Sequence, residues 1–105
     1  MFSGGDYEEV ARWLRNFVTS HAKREDLRAE AVLEDDGPRY GQSYGVRVRH
    51  GDQMRPPATE PPVELGFAEV AAQRGSLAWC AALAERVRGL AREFAAARVG
   101  AGSSA

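Results

Sequence analysis

Apolar side chains recur at helical spacing near both ends of the chain and alternate singly with polar ones in three short stretches between. Tyr7, Val10, Ala11, Leu14, Phe17 and Val18 fall on one face of a helix, while Glu8, Arg12, Arg15 and Asn16 fall mostly on the other. Asp6 followed by Glu9 has capping-box spacing, so the helix is expected to start there and to end near His21 or Ala22. From Leu27 to Glu34 the alternation puts Leu27, Ala29, Ala31 and Leu33 on one face of a strand. Leu, Arg, Ala and Glu are also good helix formers, which leaves a helix continuing to Asp36 as the rival. Asp35-Asp36-Gly37-Pro38 ends either element.

Tyr44, Val46, Val48 and His50 alternate with Gly45, Arg47 and Arg49, a second strand that closes at a His50-Gly51-Asp52 turn. Pro56, Pro57, Pro61 and Pro62 exclude regular hydrogen-bonded structure and mark a loop. Val63, Leu65 and Phe67 then suggest a third strand, with Gly66 as a bulge. After Arg74-Gly75-Ser76, with Ser76 as cap, the longest helical pattern is expected to run to about Arg98. Its apolar stripe is Leu77, Cys80, Leu83, Ala84, Val87, Leu90, Ala91 and Phe94. The pattern therefore predicts an α+β fold of two layers and α-β-β-β-α order, two amphipathic helices packed on one face of a small antiparallel sheet. Residues 1–98 form one domain in this reading and 99–105, rich in Gly, Ser and Ala, a flexible tail.

Composition agrees with a folded chain. Of 105 residues, 44% are hydrophobic and 28% charged, the balance of an ordinary globular domain large enough for one core. A formal net charge of −1 gives no global field for nucleic acid or an anionic membrane, so such binding would need a local patch. The one cysteine, Cys80, has no partner for an internal disulfide, and no apolar signal core is evident, which favours a cytoplasmic setting. Glu85, Arg86, Arg88 and Arg92 interrupt the last apolar run and exclude it as a membrane span.

Candidate chemistry is sparse. Cys80 lies on the apolar stripe, where desolvation disfavours the reactive thiolate. His50 could be held by Asp52 and, with Tyr44, form a small ligand-binding or minor catalytic site, although His50-Gly51-Asp52 also reads simply as a turn. His21 at a helix end is accounted for by the helix dipole. Two histidines in different elements do not match structural zinc spacings, and no calcium or phosphate loop is complete, so no metal or cofactor is expected.

Two surface readings remain. Arg47 and Arg49 share a strand face with Arg28, Glu30 and Glu34, as in a solvated, charge-paired sheet. Alternatively Arg39, Tyr40, Tyr44, Arg47 and Arg49 form a basic and aromatic surface for an acidic peptide or nucleic acid. The element order is similar to that of double-stranded RNA-binding domains, but the basic cluster those carry at their last helix is here only Arg74. Trp13 and Trp79 lie beside the apolar stripes, where they either widen the core or meet a partner. The leading expectation is a non-enzymatic protein-protein interaction module, as a homodimer or with an unidentified protein partner. Nucleic-acid binding is the alternative, then a ligand site at His50, Asp52 and Tyr44.

Overall fold

The structure is a computed structural model that describes residues 6–103. Helix α1, Tyr7–Ala22, begins where the sequence places it: the Asp6 side chain accepts from the Glu9 amide at 2.7 Å. Glu8 and Glu9 in the first turn complement the helix dipole, whereas His21 in the last turn is held toward its neutral form by burial and does not supply the expected cation. Its buried face is Tyr7, Val10, Ala11, Leu14, Val18 and Ala22.

Strand β1 is Glu30–Glu34, which settles the choice between strand and helix. It starts later than the alternation suggested. Residues 23–29 are taken up by turns in which Asp26 N donates to Ala22 O (3.0 Å), Ala29 N to Asp26 O (2.9 Å) and Arg28 N to Asp26 Oδ1 (3.1 Å). Ala29, Ala31 and Leu33 do face the core, but Leu27 stands outside the strand and is 83% exposed.

Strand β2, Ser43–His50, is the centre of a four-stranded antiparallel sheet. On one side it pairs with β1 from Glu30↔Arg49 to Glu34↔Gly45. On the other it pairs end to end with two strands: β3, Gln53–Arg55, and β4, Val63–Gly66. β3 had no alternation to announce it and exists because the Gly51-Asp52 turn folds it back on β2, with Gly51 at φ 62° as such a tight turn requires. The proline loop carries the chain from β3 to β4 over the outer face of β2. There the room for it depends on Gly45, since a Cβ at that position would lie 2.8 Å from Pro62 Cγ.

The expected third strand is shorter than Val63 to Phe67. Phe67 N donates to Gln42 O at 2.9 Å and opens a helix, α2, Phe67–Gln73, which buries Val70 and Ala71. The long helix α3 is Leu77–Ser103, with Ser76 Oγ accepting from Trp79 N at 3.3 Å at its start. It runs past Arg98, so the backbone of 99–103, expected as tail, is helical, and 104–105 lie outside the described residues. The observed order is thus α-β-β-β-β-α-α rather than α-β-β-β-α, still α+β, and it departs from the RNA-binding order.

One core lies between the helices and the inner sheet face. Val10, Leu14 and Val18 of α1, Tyr44, Val46 and Val48 of β2, and Leu83, Val87, Ala91 and Phe94 of α3 form it, with Val63, Leu65 and Val70. The α3 stripe begins later than its apolar pattern: Leu77 is 90% exposed and Cys80 is half-buried, its Sγ 3.4 Å from Arg74 O. α1 also lies along the free edge of β1, where Thr19 Oγ1 accepts from Ala31 N (3.0 Å) and the Tyr7 hydroxyl reaches Asp35 O (3.4 Å).

Candidate functional site

Where α1 ends, the 23–29 turn meets the β2–β3 hairpin, and an open hollow of about 400 Å³ lies between them, lined by Asp26, Leu27, Arg28 and His50. Asp26 is buried and is the centre of this corner. Its Oδ1 accepts from Arg28 N, and its Oδ2 lies 2.6 Å from His50 Nδ1. A carboxylate can only accept, so the shared proton belongs to Nδ1, and in neutral His50 the Nε2 lone pair is left over. Nε2 makes no hydrogen bond among the described residues. The ring is backed by Phe94, at 5.6 Å between centroids, and Arg55 lies over the other part of that aromatic at 5.3 Å while pairing with Glu93.

The same turn concentrates positive charge. Lys23, Arg24 and Arg28 are exposed; Lys23 Nζ donates to Leu27 O at 2.9 Å, and none of the three forms an ion pair among the described residues. The neighbouring carboxylates are engaged elsewhere: Glu25 with Arg88 (2.7 Å) and Arg92 (3.3 Å), Glu30 with Arg49. These arginines hold Glu25 and Glu30 below the usual carboxylate range. His21, one turn back, is pushed toward its neutral form, first by burial and then by Arg24 and Arg88. Its Nδ1 has no hydrogen-bond partner among the described residues.

The residues singled out in the sequence lie in three other places. Arg47 and Arg49 do share the outer sheet face, and the register brings each to a glutamate. Arg47 is only 5% exposed, donating to Glu34 (2.7 Å) and to the carbonyls of Pro56 (2.9 Å) and Pro57 (2.7 Å), so it clamps the proline loop. Arg39 pairs with Glu64 (3.0 Å) and Glu34 (3.7 Å), and holds the Glu64 carboxyl below its ordinary range with help from Ser43. Arg28, placed with them from the sequence, belongs to the turn instead.

Tyr44 is not on that surface at all. It is fully buried on the inner face, stacked on Tyr7 at 4.6 Å, with its hydroxyl donating to Tyr7 O at 2.7 Å. Burial, then the second phenol, drives its ionisation well above the usual tyrosine range. Tyr40 is 63% exposed at the edge of this cluster, 5.2 Å from the Tyr7 ring. His50, Asp52 and Tyr44 therefore make no common site: six steps along the strand, roughly 20 Å, separate His50 from Tyr44. The residue that holds His50 is Asp26, while Asp52 stays exposed in the turn.

Trp13 and Trp79 meet each other between α1 and α3, ring centroids 6.5 Å apart, with Phe17 stacked on Trp13 at 5.1 Å. Trp79 Nε1 donates to Glu69 at 3.1 Å. Both are partly buried against the core. The Asp26–His50 pair and the exposed Leu27 were not singled out in the sequence. Nothing local signals a contact 24 residues apart.

Among the described residues no group of three or more His, Cys, Asp and Glu is placed to hold a metal ion. No helix there is long and apolar enough to cross a membrane. No protein-family model, curated protein or solved structure matches the chain.

Proposed function

We propose that this chain is a non-enzymatic protein-interaction module whose contact site is the 23–29 turn, with Leu27 as its apolar anchor and Arg28 beside it. The observation that carries the reading is the fixed exposure of Leu27: 83% open to solvent, on a turn whose neighbours are tied by hydrogen bonds at Asp26, Arg28, Ala29 and Lys23. A single exposed leucine is ordinary in itself. Here it is pre-ordered, so docking costs little conformational entropy, and it borders a hollow and three cations that form no ion pair among the described residues. That combination supports an apolar anchor ringed by charge.

The partner is a foreign protein with an acidic rim rather than a second copy. A twofold contact through this turn would set Lys23, Arg24 and Arg28 against their own kind. The tryptophans lend homodimerisation less support than their sequence positions did, because each covers the other within one chain.

The test is capture of partners from source-cell extract by the native chain and by Leu27→Asp and Arg28→Glu, with light scattering on the same samples. Both substitutions are expected to remove the captured protein while leaving Tm unchanged, and the native chain is expected to be monomeric. Undiminished capture by both variants overturns the reading.

A further inference from the structure

We infer that the hollow at Asp26, Leu27, Arg28 and His50 recognises an acidic peptide segment, one side-chain carboxylate seating on Arg28 and a backbone N–H donating to His50 Nε2. This deepens the reading of the turn as a docking site and rests on it.

The chemistry of the lining narrows the occupant. Among the described residues Asp26 is the acid that lines the hollow, and its carboxylate accepts from Arg28 N on Oδ1 and from His50 Nδ1 on Oδ2. It orients the imidazole, and among the described residues no ion pair joins it to the Arg28 guanidinium. A guanidinium with no acidic partner takes a carboxylate through two parallel hydrogen bonds. The imidazole offers the opposite function: with Nδ1 committed to Asp26, neutral His50 has an acceptor to present, which a carboxylate cannot satisfy but a peptide N–H can. Leu27 on the rim provides contact for an apolar neighbour of the acidic residue. Carboxylate, N–H and apolar group within a few ångströms of one another are what one acidic residue and its neighbour present. A nucleic-acid phosphate satisfies Arg28, yet leaves Leu27 uncovered and brings no backbone amide to Nε2.

The experiment titrates the full chain, at about pH 8, with acetyl-Leu-Glu-Leu-amide, its Gln counterpart and oligothymidine, following backbone amide signals by NMR. The Glu peptide is expected to give saturable shifts confined to Leu27, Arg28, His50 and their neighbours. The Gln peptide against the native chain, and the Glu peptide against Arg28→Ala, are each expected to bind at least about tenfold more weakly. Arg28 is exposed in a turn, so its variant keeps the native spectrum elsewhere. Absence of saturable shifts, equal binding of Glu and Gln peptides, or stronger binding of oligothymidine at the same residues overturns the inference. Selective Glu-peptide binding with partner capture unaffected at Leu27 would instead overturn the docking reading and leave the peptide site standing.

Discussion

Tyr44 and His50 stand on the same face of β2, near its opposite ends, each an aromatic ring with a polar atom to satisfy. At the Tyr44 end, Tyr7 and Phe67 close over the ring and the hydroxyl finds the Tyr7 carbonyl. At the His50 end, α1 has already stopped, and the turn that follows supplies a buried carboxylate on one side of the imidazole only. One face of one strand thus ends in sealed core and in open hollow, decided by where the helix above it runs out. A satisfied polar group inside the core fixes packing; at the same strand's other end the imidazole Nε2 makes no hydrogen bond among the described residues.

That contrast can be broken most severely at the sealed end. Tyr44→Ala is expected to cost about 3–5 kcal/mol, the range for removing a buried aromatic ring, measured by denaturant unfolding. Because burial raises the ionisation of Tyr44 and Tyr7 in the folded state, both favour the neutral phenol there. Their contribution is complete below the unfolded tyrosine value of about 10 and is lost as pH rises beyond it. Stability should fall above about pH 10, and less steeply in Tyr44→Phe; a flat profile to higher pH would contradict the sealed environment.

At the open end the effect is smaller. His50→Ala removes the hydrogen bond on Asp26 Oδ2 and is expected to cost about 1–3 kcal/mol, the range for deleting one partner of a buried acceptor. A loss as large as that of Tyr44→Ala would erase the distinction between the two ends. Smallest of all, Leu27→Ala should change stability by less than about 0.5 kcal/mol, since its side chain packs on little. A cost above about 2 kcal/mol would mean that Leu27 is part of the fold rather than offered outward.

The parts legible in the sequence were those that local pattern decides. Asp6 with Glu9, the Tyr44–His50 alternation and the Leu83–Val87–Phe94 stripe each state their element within one stretch of chain. β3 was not legible, because Gln53-Met54-Arg55 carries no periodicity and owes its extension to the hairpin. α2 was hidden because Val63, Leu65 and Phe67 alternate correctly for a strand. Phe67 still donates to Gln42 O, 25 residues earlier and in line with the β2–β4 register, as the chain turns into the helix. The arginines of β2 were placed on the right face, but their neutralisation depends on cross-strand register and on the proline loop returning over Arg47. Periodicity put the tryptophans at the margins of their stripes; only the packing of α1 on α3 made them each other's cover.

The Thr19 hydroxyl on Ala31 N bears on the chain's behaviour in crowded solution. β1 is an outer strand, and outer strands are where sheets of separate molecules splice into polymers. Here a helix lies along that border, with Thr19 Oγ1 accepting from the outward-facing Ala31 amide. Because α1 also carries Val10, Leu14 and Val18 into the core, the border can be bared only by lifting a helix out of the hydrophobic interior. Baring the β1 border is therefore coupled to opening of the core, and brief fraying of β1 alone does not expose it as a template.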